Sequence, residues 1–203
     1  MPPQLPKVPQ GIRYPPNQTE LPTMQVELFL DFCCPFSRKL YNTVMAYMAS
    51  ESALSGLQFL LHLVPQPWHP QSPVLHEFGL TVRELFGDEA FFKYADMVFS
   101  DRQVTFFDSE VYEKSRKDLY GQLLKECTWL QDGDKDKVME FLGIEAGSGN
   151  SGNKATGLLK LCCKYHRIRA VHVTPTVFVN GIEASDISSG WTAEEWGDKL
   201  SCI

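Results

Sequence analysis

The 203-residue chain lacks any uninterrupted apolar run near the roughly 18–20 residues that a membrane-spanning helix needs, so no membrane partner is expected. Its N-terminus carries Lys7 and Arg13 but no apolar stretch beside them, and so does not read as a secretory signal. The expectation is a soluble protein, cytoplasmic by default; a secretory form already trimmed of its leader would look the same. Basic charge is scarce: 19 Lys and Arg stand against 25 Asp and Glu, a formal net charge of −6. A broad nucleic-acid footprint needs clustered cations, so nucleic acid is not expected as a partner. There is no Walker or dinucleotide fingerprint and no internal repeat. No Cys-x-x-Cys pair repeats, which excludes the usual zinc spacing. Asp132-Gly133-Asp134-Lys135-Asp136 opens like a calcium loop but lacks the glycine and the terminal glutamate in register, so no metal is expected. Six cysteines in this length are too few for a disulfide scaffold.

Hydrophobic residues make up 43% of the chain and charged residues 22%, enough apolar material for a real core. Residues 1–22 are rich in proline, which fixes φ and removes backbone donors, so they read as an extended arm. Val26 to Phe32 reads as a buried strand, a helix follows from about Pro35 to Ala49, and Leu57 to Val64 is a second strand. Strand, helix and strand at this spacing form a right-handed crossover with parallel strands. Apolar residues then recur at three- and four-residue spacing near 72–86, 88–100, 109–127 and 134–142, and a further helix is expected near 154–165. Thr176 to Val179 is a strand, Asn180-Gly181 a hairpin turn and Ile182 to Ala184 the return strand. A closing helix from Thr192 to Leu200 carries a capping-box pattern, with Glu195 three residues after Thr192. The division is an arm at 1–22, a core at 23–70 and 170–203, and a helical insertion at 71–169.

Chemistry concentrates at Cys34-Pro35-Phe36-Ser37, where a strand ends and a helix begins. Exposed amide donors and the positive end of the dipole favour a thiolate there, and the thiolate is the reactive form. The bland alternative is a buried structural cysteine. A second segment, Val173-Thr174-Pro175-Thr176, sets a proline just before a strand, where it cannot donate to the ladder. A cis Thr174–Pro175 bond facing the thiol would account for it. Asp31, polar within an apolar strand, is a candidate proton-transfer group. His172 beside the proline loop and His69 beside Trp68 are candidates for tuning the thiol. His62 reads as a core or edge histidine. Cys33 should point away from Cys34 on the strand pleat, and Cys162 or Cys163 could reach Cys34 only if the helical block folds over the site.

Gln25 through Ser37 resembles the active-site segment of the DsbA family of disulfide oxidoreductases, and Thr174-Pro175-Thr176 with Phe178-Val179-Asn180-Gly181 resembles that family's cis-proline loop. The helical block matches the family's insertion in size. Leu61 to His69 is similar to a eukaryotic thioredoxin-superfamily branch with a Cys-Pro-x-Ser site. The resemblance spans about residues 24–200 and implies an α/β, thioredoxin-like fold with an inserted helical domain. It implies Cys34 and Ser37 as catalytic residues, and Pro35, Phe36, Thr174 and Pro175 as substrate-binding ones. The family's second cysteine is replaced here by Ser37, which cannot resolve a mixed disulfide. The expected activity is therefore monothiol thiol–disulfide exchange through Cys34 on protein or small-molecule thiols and disulfides. Ser37 would stabilise the thiolate, and glutathione or another thiol would resolve; no bound cofactor is expected. Two alternatives stand beside it: a kappa-class-like glutathione transferase or isomerase, and a non-catalytic partner-binding module.

Overall fold

A computed structural model of the protein describes residues 5, 6 and 8–203. Five strands, β1 (Ile12–Tyr14), β2 (Met24–Leu30), β3 (Leu57–Leu63), β4 (Thr176–Val179) and β5 (Ile182–Glu183), form one sheet in the order β1-β3-β2-β4-β5. The crossover helix α1 (Pro35–Met48) makes β2 and β3 parallel, whereas β1 and β4 pair antiparallel to their neighbours. The ladder of β2 stops at Leu30, earlier than the apolar run suggests. The Cys34 N–H turns back to the Asp31 carbonyl at 3.1 Å, and Pro35 has no N–H to extend the ladder.

Part of the proline-rich arm is a strand. Ile12 lies opposite Leu61 and is buried, so β1 covers an edge of β3 that would otherwise stand open. Residues 1–4 and 7 of that arm lie outside the described residues. The Asn180-Gly181 turn has positive φ at both residues, 47° and 87°, as a two-residue type I′ hairpin between β4 and β5 requires.

Between β3 and β4 the chain is helical: α2 (Ser72–Val98), a 3₁₀ turn (Asp101–Phe106), α3 (Asp108–Val111), α4 (Arg116–Glu126), α5 (Asp132–Leu142) and α6 (Thr156–Ile168). The sequence suggests two helices across 72–100, and α2 accordingly breaks at Gly87, at φ 85° and ψ −179°. Its two arms fold against each other. Tyr94 donates to the Leu75 carbonyl at 2.7 Å, although 19 residues would span about 28 Å along a straight helix. The acidic run at 132–136 forms the first turn of α5.

Both faces of β2 are covered. Val26 pairs with Phe59, whose ring meets Trp196 of the capped closing helix α7 (Ala193–Ser201) edge-on at 6.0 Å. Phe29 on the opposite face stacks on His62 at 4.5 Å and on Tyr165 of α6 at 6.1 Å. No described helix is long and apolar enough to cross a membrane.

Candidate active site

Cys34 is the N-cap residue of α1, with Pro35 in the first helical position. Pro35 costs nothing there, because the first N–H groups of a helix have no partner within it. The first turn contains no acidic residue and no side chain caps it, so the positive end of the helix is left to the sulfur. The sulfur's partner comes from the far end of the chain: the Cys34 thiol donates to the Thr174 carbonyl at 3.3 Å. The bond that follows, Thr174–Pro175, is cis. Cys34 as a whole is only 6% exposed, whereas Phe36 is 62%, Val173 58% and Trp68 54% exposed. The recessed thiol lies two residues before the protruding Phe36, and its partner Thr174 directly follows the protruding Val173.

Beneath the sulfur, Asp31 is fully buried and acts as a hub. Its Oδ1 accepts from the Cys33 N–H at 2.9 Å and from the Ser72 hydroxyl at 2.7 Å, and its Oδ2 accepts from the Gln66 N–H at 3.1 Å. These bonds tie together the cysteine turn, the loop after β3 and the start of α2. Ser37 is also buried, and its Oγ accepts from the Asp31 N–H at 3.2 Å. Sequence reasoning assigns this hydroxyl to the thiolate; its observed partner is the end of β2. Among the described residues no hydrogen bond joins Ser37 to the Cys34 sulfur.

Gln103, fully buried on the 3₁₀ turn, donates through Nε2 to the Phe32 carbonyl at 2.8 Å and to the Cys34 carbonyl at 3.1 Å. His76 is buried under Asp31, and burial lowers its pKa below the usual histidine value. Its Nδ1 lies 2.8 Å from the Ser72 carbonyl, which fixes the proton on that nitrogen.

Four other thiols, Cys33, Cys127, Cys162 and Cys163, are poorly placed to ionise. Burial, with Asp31, Asp108 and Cys34 adding to it, drives the Cys33 thiol far above the ordinary range. Burial pushes Cys162 and Cys127 up to about 12 and raises Cys163 as well. Cys162 lines a small cavity with Gly11, Leu63 and Tyr165, over β3 rather than over Cys34. His69 and Asp108, with Nδ1 and Oδ1 4.0 Å apart, border a cleft of about 310 Å³ that Cys33 and Pro35 also line. His172 is exposed on the loop before Thr174 and makes no hydrogen bond to Cys34 among the described residues.

The chain can be compared with solved structures on this geometry. It superposes on a candidate protein-disulfide isomerase from Pseudomonas syringae with a TM-score of 0.73 at 21% identity, covering 94% of this chain and 97% of that one. It is similar to DsbA from Chlamydia trachomatis, with a TM-score of 0.62, 13% identity and coverage of 100% and 97%. Reduced DsbA from Mycobacterium tuberculosis gives 0.58 at 19% identity, covering 96% and 92%. The fold is DsbA-like. No family model and no curated protein matches the sequence.

Within the DsbA-like fold, four contributors to the site escape a reading of the sequence: Gln66, Ser72, His76 and Gln103. Gln66 acts through its backbone, which leaves no trace in residue type. Ser72 and His76 stand one helical turn apart at the start of α2, a spacing that puts them on one face. A lone glutamine such as Gln103 gives no signal at all.

A second polar cluster lies on the same sheet face as Asp31. Glu27 accepts from both terminal nitrogens of Arg169, at 2.8 and 2.9 Å, and from the Tyr165 hydroxyl at 3.1 Å, while His62 Nε2 stands 3.0 Å away. Burial alone would raise this carboxyl; the neighbouring His62 and the bonded, charged Arg169 outweigh it and hold Glu27 at about 2. Burial lowers the pKa of His62, with Arg169 adding to that shift and Glu27 opposing it. His62 is therefore a partner in a buried ion-pair network that fastens α6 to the sheet.

Proposed function

We propose that the protein is a monothiol thiol–disulfide oxidoreductase acting through Cys34. The observation that carries this reading is the sulfur of Cys34 at the uncapped start of α1, 3.3 Å from the Thr174 carbonyl. The sulfur stands at the positive end of the helix, and the proline loop would offer its backbone to an extended substrate. Solved structures of the same fold include a thiol–disulfide oxidoreductase from Corynebacterium diphtheriae (TM-score 0.54, 15% identity), which is consistent with this chemistry.

In the proposed reaction, the Cys34 thiolate attacks one sulfur of a disulfide. A Cys34–substrate disulfide forms, the original bond breaks, and the other substrate sulfur leaves as a thiolate and takes a proton from water. With serine at position 37, resolution falls to an external thiol of the glutathione class. Its thiolate attacks the substrate sulfur, releases a new disulfide and restores the Cys34 thiolate. Phe36, Pro35, Thr174 and Pro175 would hold the substrate beside the sulfur.

The test is glutathione-dependent reduction of a small mixed disulfide by the wild type and by Cys34→Ser. The variant is expected to fall to the uncatalysed rate. Equal rates in the two proteins would end the proposal. Transfer of glutathione to an electrophile that survives Cys34→Ser would point instead to transferase chemistry.

A further inference from the structure

We propose that Gln103, on the 3₁₀ turn of the helical insertion, is a positioning residue that sets the reactivity of Cys34. The proposal rests on Cys34 being the reactive thiol. Gln103 stands 69 residues from Cys34 in the chain, yet its Nε2 bonds the Phe32 and Cys34 carbonyls, one on either side of the cysteine pair. The Cys34 carbonyl already receives the first intrahelical bond, from the Arg38 N–H at 3.1 Å. A second donor on that oxygen fixes the plane of the Cys34–Pro35 peptide and with it ψ of Cys34, 120°, while the Cys34 N–H on the Asp31 carbonyl holds φ at −80°. Those two angles decide whether the sulfur faces the open amides of the first turn.

The amide is itself held. Asp101, two residues earlier, pairs with Arg38 of α1, and Asn42 of α1 donates to the Phe99 carbonyl at 3.0 Å. The Gln122 side chain of α4 donates to the Thr105 carbonyl at 3.2 Å. The turn is thus bolted to the helix that carries the thiol and to the rest of the insertion. Gln103 Oε1 is buried with no hydrogen-bond partner among the described residues, so half of the amide is left unsatisfied there. A buried polar side chain with that penalty contributes through its donor half. The insertion therefore completes the N-cap that the thioredoxin-like core begins. Removing the donor would loosen the cap and take a positive dipole end away from the sulfur, and both changes make the thiolate harder to form.

The experiment follows the rate of Cys34 alkylation by iodoacetamide against pH, taken as the difference from Cys34→Ser, in the full chain. Gln103→Met keeps the side chain's length and removes both donors. The groups that titrate or carry charge around the turn are Asp31 just after β2, Cys33, Arg38 on α1, His76 on α2, Asp101 and Arg102 on the 3₁₀ turn with Glu126 of α4 opposite Arg102, and His69 and Asp108 across the cleft; all remain. The alkylation midpoint is expected to rise by about one pH unit, which makes the reaction about tenfold slower below it. The fully ionised thiol should react within about twofold of wild type. Val138→Ala, a cavity in α5 remote from the turn, serves as the control for general destabilisation and is expected to leave the midpoint in place. Should Gln103→Met not fold, Gln103→Asn, which draws the amide back by one methylene, takes its place with a smaller rise expected. An unchanged midpoint, or an equal shift in Val138→Ala, would overturn the assignment. Alkylation reads the thiol itself, so a protein without exchange activity would still show the shift, and the two proposals fail separately.

Discussion

Two buried carboxylates, Glu27 within β2 and Asp31 just past its end, show how differently polar residues of an apolar segment are used. Asp31 spends its oxygens on backbone N–H groups and a serine hydroxyl, and so shapes the cysteine turn. Glu27 faces a bidentate arginine, and its carboxyl is held at about 2 against an ordinary 4.5. A carboxyl that titrates lower in the folded than in the unfolded chain stabilises the fold above its unfolded value. That stabilisation is lost as the pH falls toward the folded value. The window is therefore about pH 5 to 2, and roughly 2 kcal/mol should be gone by pH 3. In denaturant unfolding, the gap between wild type and Glu27→Gln is expected to narrow by about that amount between pH 6 and pH 3. Parallel losses in the two proteins would show that Glu27 does not carry the acid limb. The sequence gives no hint of the arrangement, because Glu27 and Arg169 are 142 residues apart and each alone looks like a strand-edge or helix-end charge.

The broken helix α2 depends on two glycines used for opposite reasons. At Gly87 the backbone adopts φ 85° with open space around it, so a methyl group would meet no atom and the cost of Gly87→Ala is backbone strain, about 1–3 kcal/mol. At Gly79 the backbone is helical, but a Cβ would sit 2.7 Å from the Tyr94 ring, and Gly79→Ala costs about 1–3 kcal/mol by overpacking. Chemical unfolding separates the two. In a Tyr94→Val background the Gly79→Ala cost is expected to shrink by more than about 1 kcal/mol, because the clashing ring is gone. An unchanged cost would show that the close approach is not what glycine serves there. Elements of this kind were largely legible beforehand: periodicity separates 72–86 from 88–100, Asn180-Gly181 marks the hairpin, and Thr192 with Glu195 marks the start of α7. The cysteine–proline turn was legible too, since a strand, Cys-Pro and a helix lie consecutively in the chain. What supports that turn from the insertion was not. Gln103 reaches it through tertiary folding alone, and the hydroxyl of Ser37 bonds the nearer backbone group instead of the sulfur. Periodicity also passes over β1, where three residues between prolines pair only because β3 presents an edge.

At the scale of the whole molecule, the insertion is held by two kinds of contact. One kind reaches the sheet, through the Gln103 turn and the Asp31 hub beside the thiol and the Glu27 network at α6; the other is internal, a buried carboxylate that holds the helices to one another. Glu77 of α2 accepts from Arg116 and from Tyr120 of α4, the latter at 2.6 Å, and from Asn153 just before α6 at 3.3 Å. Asn153 in turn accepts from the Ala155 N–H at 3.0 Å, which sets the first turn of α6. Replacing Glu77 by alanine would leave a phenol and an amide without their buried acceptor, while the 40% exposed Arg116 turns to water, a loss of about 1–3 kcal/mol. None of these groups contacts the cysteine turn, and the arm of α2 that carries Ser72 keeps its own bonds to Asp31. Hydrogen exchange in Glu77→Ala should therefore quicken in α4 and in the first turn of α6, while β2, β3 and α1 keep their order of protection. Cys34 alkylation should stay within about twofold of wild type at every pH. If the thiol slowed as strongly as in Gln103→Met, the insertion would act on Cys34 as one rigid block, and the separate role of the 3₁₀ turn would be lost.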